Sequence, residues 1–138
     1  AGDVGRLFES NAWRGTWRNG VFAFHHFHSN AHKVLGVCAG HAQVQFGGPS
    51  GPVVDIEAGD VAILPAGTGH KRIEASGDFL VVGAYPAGQE DYDLLRGDPA
   101  EQADAHRRIA AVPRPESAPV YGAQGPLLAR WKRDPADA

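Results

Sequence analysis

The sequence predicts an all-β domain of short antiparallel strands arranged as a barrel or sandwich. Seven apolar or aromatic runs of strand length follow one another between residues 21 and 86. Turn chemistry separates them, as in Gly47-Gly48-Pro49-Ser50-Gly51, Gly59-Asp60 and Pro65-Ala66-Gly67. No interval between neighbouring runs is long enough for the crossover helix that a parallel pair requires, so the pairing is antiparallel.

Residues 1–20 read as a polar arm in which Trp13 and Trp17 serve as hydrophobic anchors. Strands are expected at 21–28, 34–39, 42–46, 53–56, 61–64, 70–73 and 79–85. Phe22, Phe24, Val44, Phe46, Ile63 and either Val81 or Val82 are candidates for an apolar interior lining suited to a small, partly apolar ligand. By period two, Arg72 and Glu74 share a face with His70, either as an ion pair lining a pocket or sent to solvent by a local twist.

Beyond the strands a helix is expected. Asp98 fits its N-cap, Pro99 its first position and Glu101 a capping-box carboxylate; His106, Arg107 and Arg108 lie near its end and Pro113 stops it. Its apolar face is thin, chiefly Ala103 and Ile109, so it packs on the surface of the strands. From Pro113 to Trp131 the chain reads as an extended strap, because Val120, Tyr121, Leu127, Leu128 and Trp131 need cover. Residues 133–138 read as a frayed end.

At 138 residues the chain suits one domain with a self-sufficient core, 1–138. A net charge of −3, with acidic and basic residues interspersed, gives no field for nucleic acid or anionic lipid. The Trp13-Arg14-Gly15-Thr16-Trp17-Arg18 stretch, with two arginines, is a poor phosphate track. No apolar run is long enough to cross a bilayer. Cys38 is the sole cysteine, so no intrachain disulfide forms and the cytoplasm is the expected compartment. Cys38 itself reads as a small core residue.

The chemistry concentrates in His25-His26-Phe27-His28-Ser29-Asn30-Ala31-His32-Lys33. On a strand, Phe22, Phe24, His26 and His28 share one face, while Val21, Ala23, His25 and Phe27 share the other. Two imidazoles two residues apart on one face can ligate a single metal, whereas His25 is aimed elsewhere. Downstream, Gly59, Pro65, Gly67 and His70 follow at fixed spacing. No Gly-x-Ser-x-Gly elbow, Cys-x-x-Cys pair or Gly-x-Gly-x-x-Gly loop competes with this grouping.

These two clusters resemble the two motifs of the cupin superfamily. The first motif gives His26 and His28, and counting back from Gly40 over six residues lands on Lys33 where the family has Glu. The second is matched by Gly59, Pro65, Gly67 and His70, with Glu74 in place of the usual final Asn. The phrases Trp17-Arg18-Asn19-Gly20, His32-Lys33-Val34-Leu35-Gly36-Val37, Leu64-Pro65-Ala66-Gly67 and Val82-Gly83-Ala84-Tyr85-Pro86 further resemble the small bacterial YjlB-like cupins. The resemblance implies a single cupin barrel, a double-stranded β-helix or jelly roll, with its core at about 21–86. The N-terminal arm (1–20) and the C-terminal helix and tail (87–138) lie outside that core. It also implies a homodimer, for which Val21, Ala23 and Phe27 would supply an outward apolar face.

By the same resemblance, His26, His28, His70 and the first-motif Glu would hold a divalent transition metal: Fe, Ni, Cu, Zn or Mn. Lys33 interrupts that set, and an ammonium beside a divalent ion is repelled. Three arrangements resolve the conflict. His32 rotates in as a fourth ligand, Lys33 stays at the mouth to meet an anionic substrate, or metal binding is lost. Lys33, Arg72 and Phe24 are the candidate ligand-binding residues. Two functions follow: a metal-dependent cupin enzyme acting on a small organic molecule, with dioxygenase-type oxidation ahead of isomerase or lyase chemistry, or a metal-free module that binds or senses a small ligand. His25 and His41 read as exposed or hydrogen-bonded strand residues, and His106 as a helix-end residue.

Overall fold

Strand alternation partitions the side chains of the central strands between two apolar clusters, and this partition organises the molecule. The computed structural model describes residues 1–124 together with Leu127 and Leu128. In chain order the elements are α1 (Gly2–Ser10), β1 (Trp13–Asn19), β2 (Lys33–Ala39), β3 (His41–Phe46), β4 (Val53–Glu57), β5 (Val61–Leu64), β6 (His70–Ala75) and β7 (Leu80–Pro86). A 3₁₀ turn (Pro99–Glu101) then leads into α2 (Gln102–Ala111). One sheet has the order β1-β7-β2-β5 and the other β4-β3-β6, with every pair antiparallel. The inner faces share one cluster, with Leu35, Val37, Leu64 and Val81 from the first sheet meeting Ala42, Val44 and Ile56 from the second. This is the all-β jelly-roll arrangement that the resemblance implies.

The outer face of the four-stranded sheet is covered as well. Val34, Val82 and Ala84 pack with Phe8 of α1 and with Trp13, joined by Val4, Cys38, Ile63 and Val120. Coverage on both faces explains why β2 and β7 are apolar nearly throughout. Gly36 makes the helix fit. A Cβ there would lie 2.8 Å from Val4 Cγ1 and 2.9 Å from Phe8 Cζ, closer than carbon atoms approach.

Several expectations are corrected. Residues 1–20, read as a polar arm outside the core, supply a helix and the strand that pairs with β7. The 21–28 strand does not form. Among the described residues this segment makes only isolated bridges, His26 to His70 and Phe27 to Leu95. Phe22 is 51% exposed, and Ile63 and Val82 belong to the outer cluster, whereas Val44 is buried among the inner residues with Phe46 packed against them. Val81, rather than Val82, faces inward. Val21 is also buried inside, so it cannot contribute to an outward dimer face. The β3–β6 register slips between Val44↔Arg72 and Gln43↔Glu74, a bulge that reverses side-chain facing and leaves Glu74 exposed.

At the C-terminal side, the Asp98 carboxylate accepts a hydrogen bond from the Ala100 N–H and so caps the 3₁₀ turn. Ala105 is the buried residue of α2, and Ile109 lies so close to Gly67 that a Cβ there would come 2.7 Å from its Cδ1. The strap holds through polar contacts. Trp13 Nε1 donates to the Ser117 carbonyl at 2.7 Å and Asn11 Nδ2 to that of Pro119 at 2.8 Å. Tyr121 is 67% exposed, against the expectation that it needs cover. Trp131 and residues 133–138 lie outside the described residues.

Candidate metal and ligand site

The inner face of β2 reads Lys33, Leu35, Val37, and that of β7 reads Val81, Gly83, Tyr85, so both strands pass from an apolar end to a polar one. At the polar end, His70 enters from the start of β6 and His26 bridges it in antiparallel fashion. His28 follows two residues later. Their rings are close: centroids lie 3.9 Å apart for His26 and His70, 5.6 Å for His28 and His70, and 6.0 Å for His26 and His28. All three are buried, and one ligand nitrogen from each lies within 4.8 Å of the others.

Backbone carbonyls fix how each ring presents itself. Nδ1 of His26 lies 2.9 Å from the Phe24 oxygen, Nδ1 of His70 lies 3.2 Å from that of Thr68, and Nδ1 of His28 meets that of Asp93. A carbonyl only accepts, so every Nδ1 carries the proton and every Nε2 presents a lone pair. Lys33 Nζ is placed against two of these lone pairs, donating to His28 Nε2 and His70 Nε2 at 3.3 Å each. Its ammonium also lies 5.0 Å from the centre of the Trp17 ring.

His32 does not join this group. Its Nδ1 accepts from the Ala66 N–H at 2.8 Å, and its Nε2 faces the Pro113 carbonyl at 3.1 Å. The ring therefore ties the Pro65-Ala66-Gly67 turn to the strap. The position the resemblance gives to Glu is held by Lys33 itself. Phe24 stacks on Phe22 with centroids 4.9 Å apart and carries the Arg96 guanidinium 3.9 Å above its ring, beside His26 but outside the cavity wall. Against the expectation of an exposed or hydrogen-bonded residue, His25 is half-buried and its Nδ1 has no hydrogen-bond partner among the described residues, whereas His41 is exposed as expected.

No family model matches the chain. The uncharacterized protein YjlB of Bacillus subtilis (strain 168) is 40% identical over 126 residues, which cover 91% of this chain and 76% of that protein. The chain belongs to the YjlB-like cupins. Among solved structures it is similar to an uncharacterized conserved protein with a double-stranded β-helix domain from Klebsiella pneumoniae, at 23% identity and a TM-score of 0.45, covering 57% of this chain and 70% of that one. A cupin-2 domain containing protein from Shewanella frigidimarina is similar at 21% identity and a TM-score of 0.42, covering 51% of this chain and 66% of that one.

A cavity of about 530 Å³ opens above the histidines, within the range of small-ligand pockets. His26, His28, Lys33 and Arg72 line it, as do Trp17, Tyr85 and Tyr92, which composition and periodicity did not single out as site residues. Trp17 is thus a wall of the cavity as well as an anchor. Its indole lies flat on Gly83, where a Cβ would come 2.2 Å from Cζ2, and its Nε1 donates to the Tyr85 hydroxyl at 2.9 Å. Tyr85 in turn stacks on Tyr92 at 4.2 Å. Trp17 pairs with Gly83 across β1 and β7, which brings the indole to the inner face.

Asp93 was missed too. Its carboxylate accepts from the Ser29 hydroxyl and from the Ser29 N–H, and Arg108 of α2 lies 3.4 Å away while donating to Ser29 Oγ at 2.7 Å. The same residue's carbonyl receives the His28 Nδ1–H. A loop 64 residues downstream of Ser29 therefore orients a histidine, a pairing no local pattern encodes.

Burial sets the protonation of the group. Desolvation lowers His28 to about 4, with the Lys33 charge acting in the same direction. His70 is lowered further for the same two reasons. Desolvation also lowers His26 against the opposing bond from Phe24. Lys33 is lowered by burial to about 8. The Tyr85 phenol is pushed up, first by burial and then by its hydrogen bond with Tyr92. At neutral pH the site thus holds neutral imidazoles, a lysine that is still mostly cationic and a protonated phenol.

Proposed function

We propose that this chain is a metal-dependent cupin enzyme acting on a small organic molecule, in which His26, His28 and His70 hold one divalent transition ion beneath the cavity. One observation carries the reading: a ring nitrogen of each histidine lies within 4.8 Å of the others while every Nδ1–H is held by a main-chain carbonyl, which leaves Nε2 to ligate. Outer-sphere bonds of this kind fix the tautomer and ring orientation that a metal requires. Three neutral imidazoles suit Fe, Ni, Cu, Zn or Mn and leave coordination positions open. When bound, the ion would supply Lewis-acid or redox chemistry, and we place dioxygenase-type oxidation ahead of isomerase or lyase reactions.

The chain's own residues do the rest. Lys33 reaches the histidines on a flexible four-carbon stem, so its Nζ can leave His28 and His70 when the ion enters and turn into the cavity, where it donates to a substrate oxygen. The Tyr85 hydroxyl keeps its proton and, bonded to Tyr92 and Trp17, holds the two rings beside it in place. Trp17 and Tyr92 exclude water from one side. Elemental analysis of untagged protein tests the proposal. About one transition metal per chain is expected, lost in His28→Ala and in His70→Ala. A cooperatively folded wild-type chain that stays metal-free after exposure to each of the five ions would overturn it.

A second reading rests on Lys33 Nζ lying 3.3 Å from two of the lone pairs. There the ammonium takes the place of the ion, and the barrel binds or senses a small ligand without metal. The same elemental analysis separates the two readings.

A further inference from the structure

The charges around the cavity are one-sided. Arg18, Lys33 and Arg72 line it, and no Asp or Glu among the described residues does. The whole chain carries 16 acidic residues against 13 Lys and Arg, so this bias belongs to the cavity. Arg72 is the best placed of the three for a bound molecule. It follows His70 by two residues on β6, before the bulge, and its main-chain N–H donates to the Phe22 carbonyl at 2.9 Å. The side chain is half-buried and has no carboxylate partner among the described residues. A guanidinium keeps its charge at any ordinary pH and presents a planar fork that matches one carboxylate in bidentate fashion.

The wall beside it is aromatic. Trp17 is seated on Gly83 and tied to Tyr85, and Tyr85 stacks on Tyr92, so three rings form one braced surface. A braced aromatic wall favours a flat, unsaturated ring over an aliphatic chain of equal size, because its faces and edges match the ring quadrupole. Inorganic phosphate could use the cations but would leave the aromatic wall without a partner, whereas a carboxylate carried on a ring engages both.

From this juxtaposition we infer that the cavity takes an aromatic carboxylate, its carboxylate on Arg72 and its ring against Trp17, Tyr85 and Tyr92. The inference deepens the proposed function by naming a substrate class, and it rests on that reading's cavity but not on its metal. Calorimetric titration of the purified chain with benzoate, acetate, benzylamine and inorganic phosphate tests it, both after chelation and after metal loading. Benzoate is expected to bind at least roughly tenfold more tightly than the other three.

Arg72→Gln should weaken benzoate by roughly tenfold or more, while Lys71→Gln on the neighbouring position leaves it unchanged. Trp17→Leu should weaken benzoate and leave acetate as it was. Thermal melting of each variant checks that it is folded, and if Trp17→Leu fails to fold, Tyr92→Leu at the exposed end of the wall replaces it. No benzoate binding by the folded wild-type chain in either state, equal affinity for acetate or phosphate, or an Arg72→Gln variant that binds normally overturns the inference. The metal reading fails separately. A chain that takes up no metal yet binds benzoate through Arg72 would sink that reading and leave this one standing, and a metal-loaded chain indifferent to benzoate would do the reverse.

Discussion

Leu35 and Lys33 occupy the same face of β2 two residues apart, yet they serve opposite ends of one interior. Leu35 is packed with Val37, Val44 and Val81 in a dry cluster held by regular strands on both sides. Lys33 is nearly as buried, at 6% exposure, but its head group meets two imidazoles and an indole, and its neighbours arrive on an irregular segment and a distant loop. The backbone alternation runs unchanged through both ends. What differs is how the surroundings are built: strand pairing makes the apolar end, and main-chain carbonyls and the Asp93 loop make the polar one. The apolar end is therefore tuned for stability, and the polar end spends some of that stability on holding three lone pairs and a cation together.

The sharpest way to break this contrast is to empty each end in turn. Leu35→Ala should lower the free energy of unfolding by about 2–5 kcal/mol, measured by urea titration, because it leaves a cavity in a close-packed cluster. Lys33→Met should hold or raise the unfolding midpoint, since a buried ammonium with no carboxylate beside it among the described residues is replaced by an apolar chain of similar length. If Lys33→Met instead lost as much stability as Leu35→Ala, the polar end would be ordinary core and the distinction would collapse.

The next effect concerns how the polar end is held. Asp93→Ala removes the carboxylate that ties Ser29 and Arg108 to the loop whose carbonyl orients His28. Metal affinity, read by competition with a chromogenic chelator, should fall by roughly 10–100-fold, and melting should change little. An unchanged affinity would mean that the loop is only a cover.

Acid should separate the two ends by a smaller margin. His28 is lowered to about 4, and His26, His32 and His70 are also held below the ordinary value of 6.5. Between those values and 6.5 the unfolded chain binds protons that the folded chain refuses, so stability is highest above about pH 6.5 and falls as the pH drops toward 4. Lys33, lowered to about 8 from 10.5, works with the same sign, so its contribution improves between those two values. The melting midpoint should be lower at pH 5 than at pH 7.5, and the difference should shrink in His28→Gln. Equal midpoints in the wild-type chain would contradict burial of neutral imidazoles.

The same contrast explains what was legible in the sequence. The regular end was, because period two and turn residues set it: the expected strands at 34–39, 42–46, 53–56 and 61–64 match β2 to β5 to within a residue at either end. His26, His28 and His70 come together as motif spacing implies, although the strand invoked to align the first two is absent. One bridge from His26 to β6 and one from Phe27 to Leu95 hold the segment, and main-chain carbonyls orient the rings. The helix α1 was hidden because its apolar stripe is little more than Val4 and Phe8, completed by Gly36 on a strand far along the chain. Glu74 was ambiguous because a one-residue bulge, invisible to periodicity, decides its face. Asp93 and the Trp17–Gly83 contact depend on residues more than 60 positions apart, where only tertiary packing can join them.

An anomalous-difference map of crystals soaked in a divalent transition metal tests the central claim most directly. The expected result is a single peak about 2.1 Å from Nε2 of His26, His28 and His70, with Lys33 Nζ withdrawn toward Trp17. Density for Lys33 Nζ at the point where the three lone pairs converge, with no peak beside it in any soak, would contradict the account.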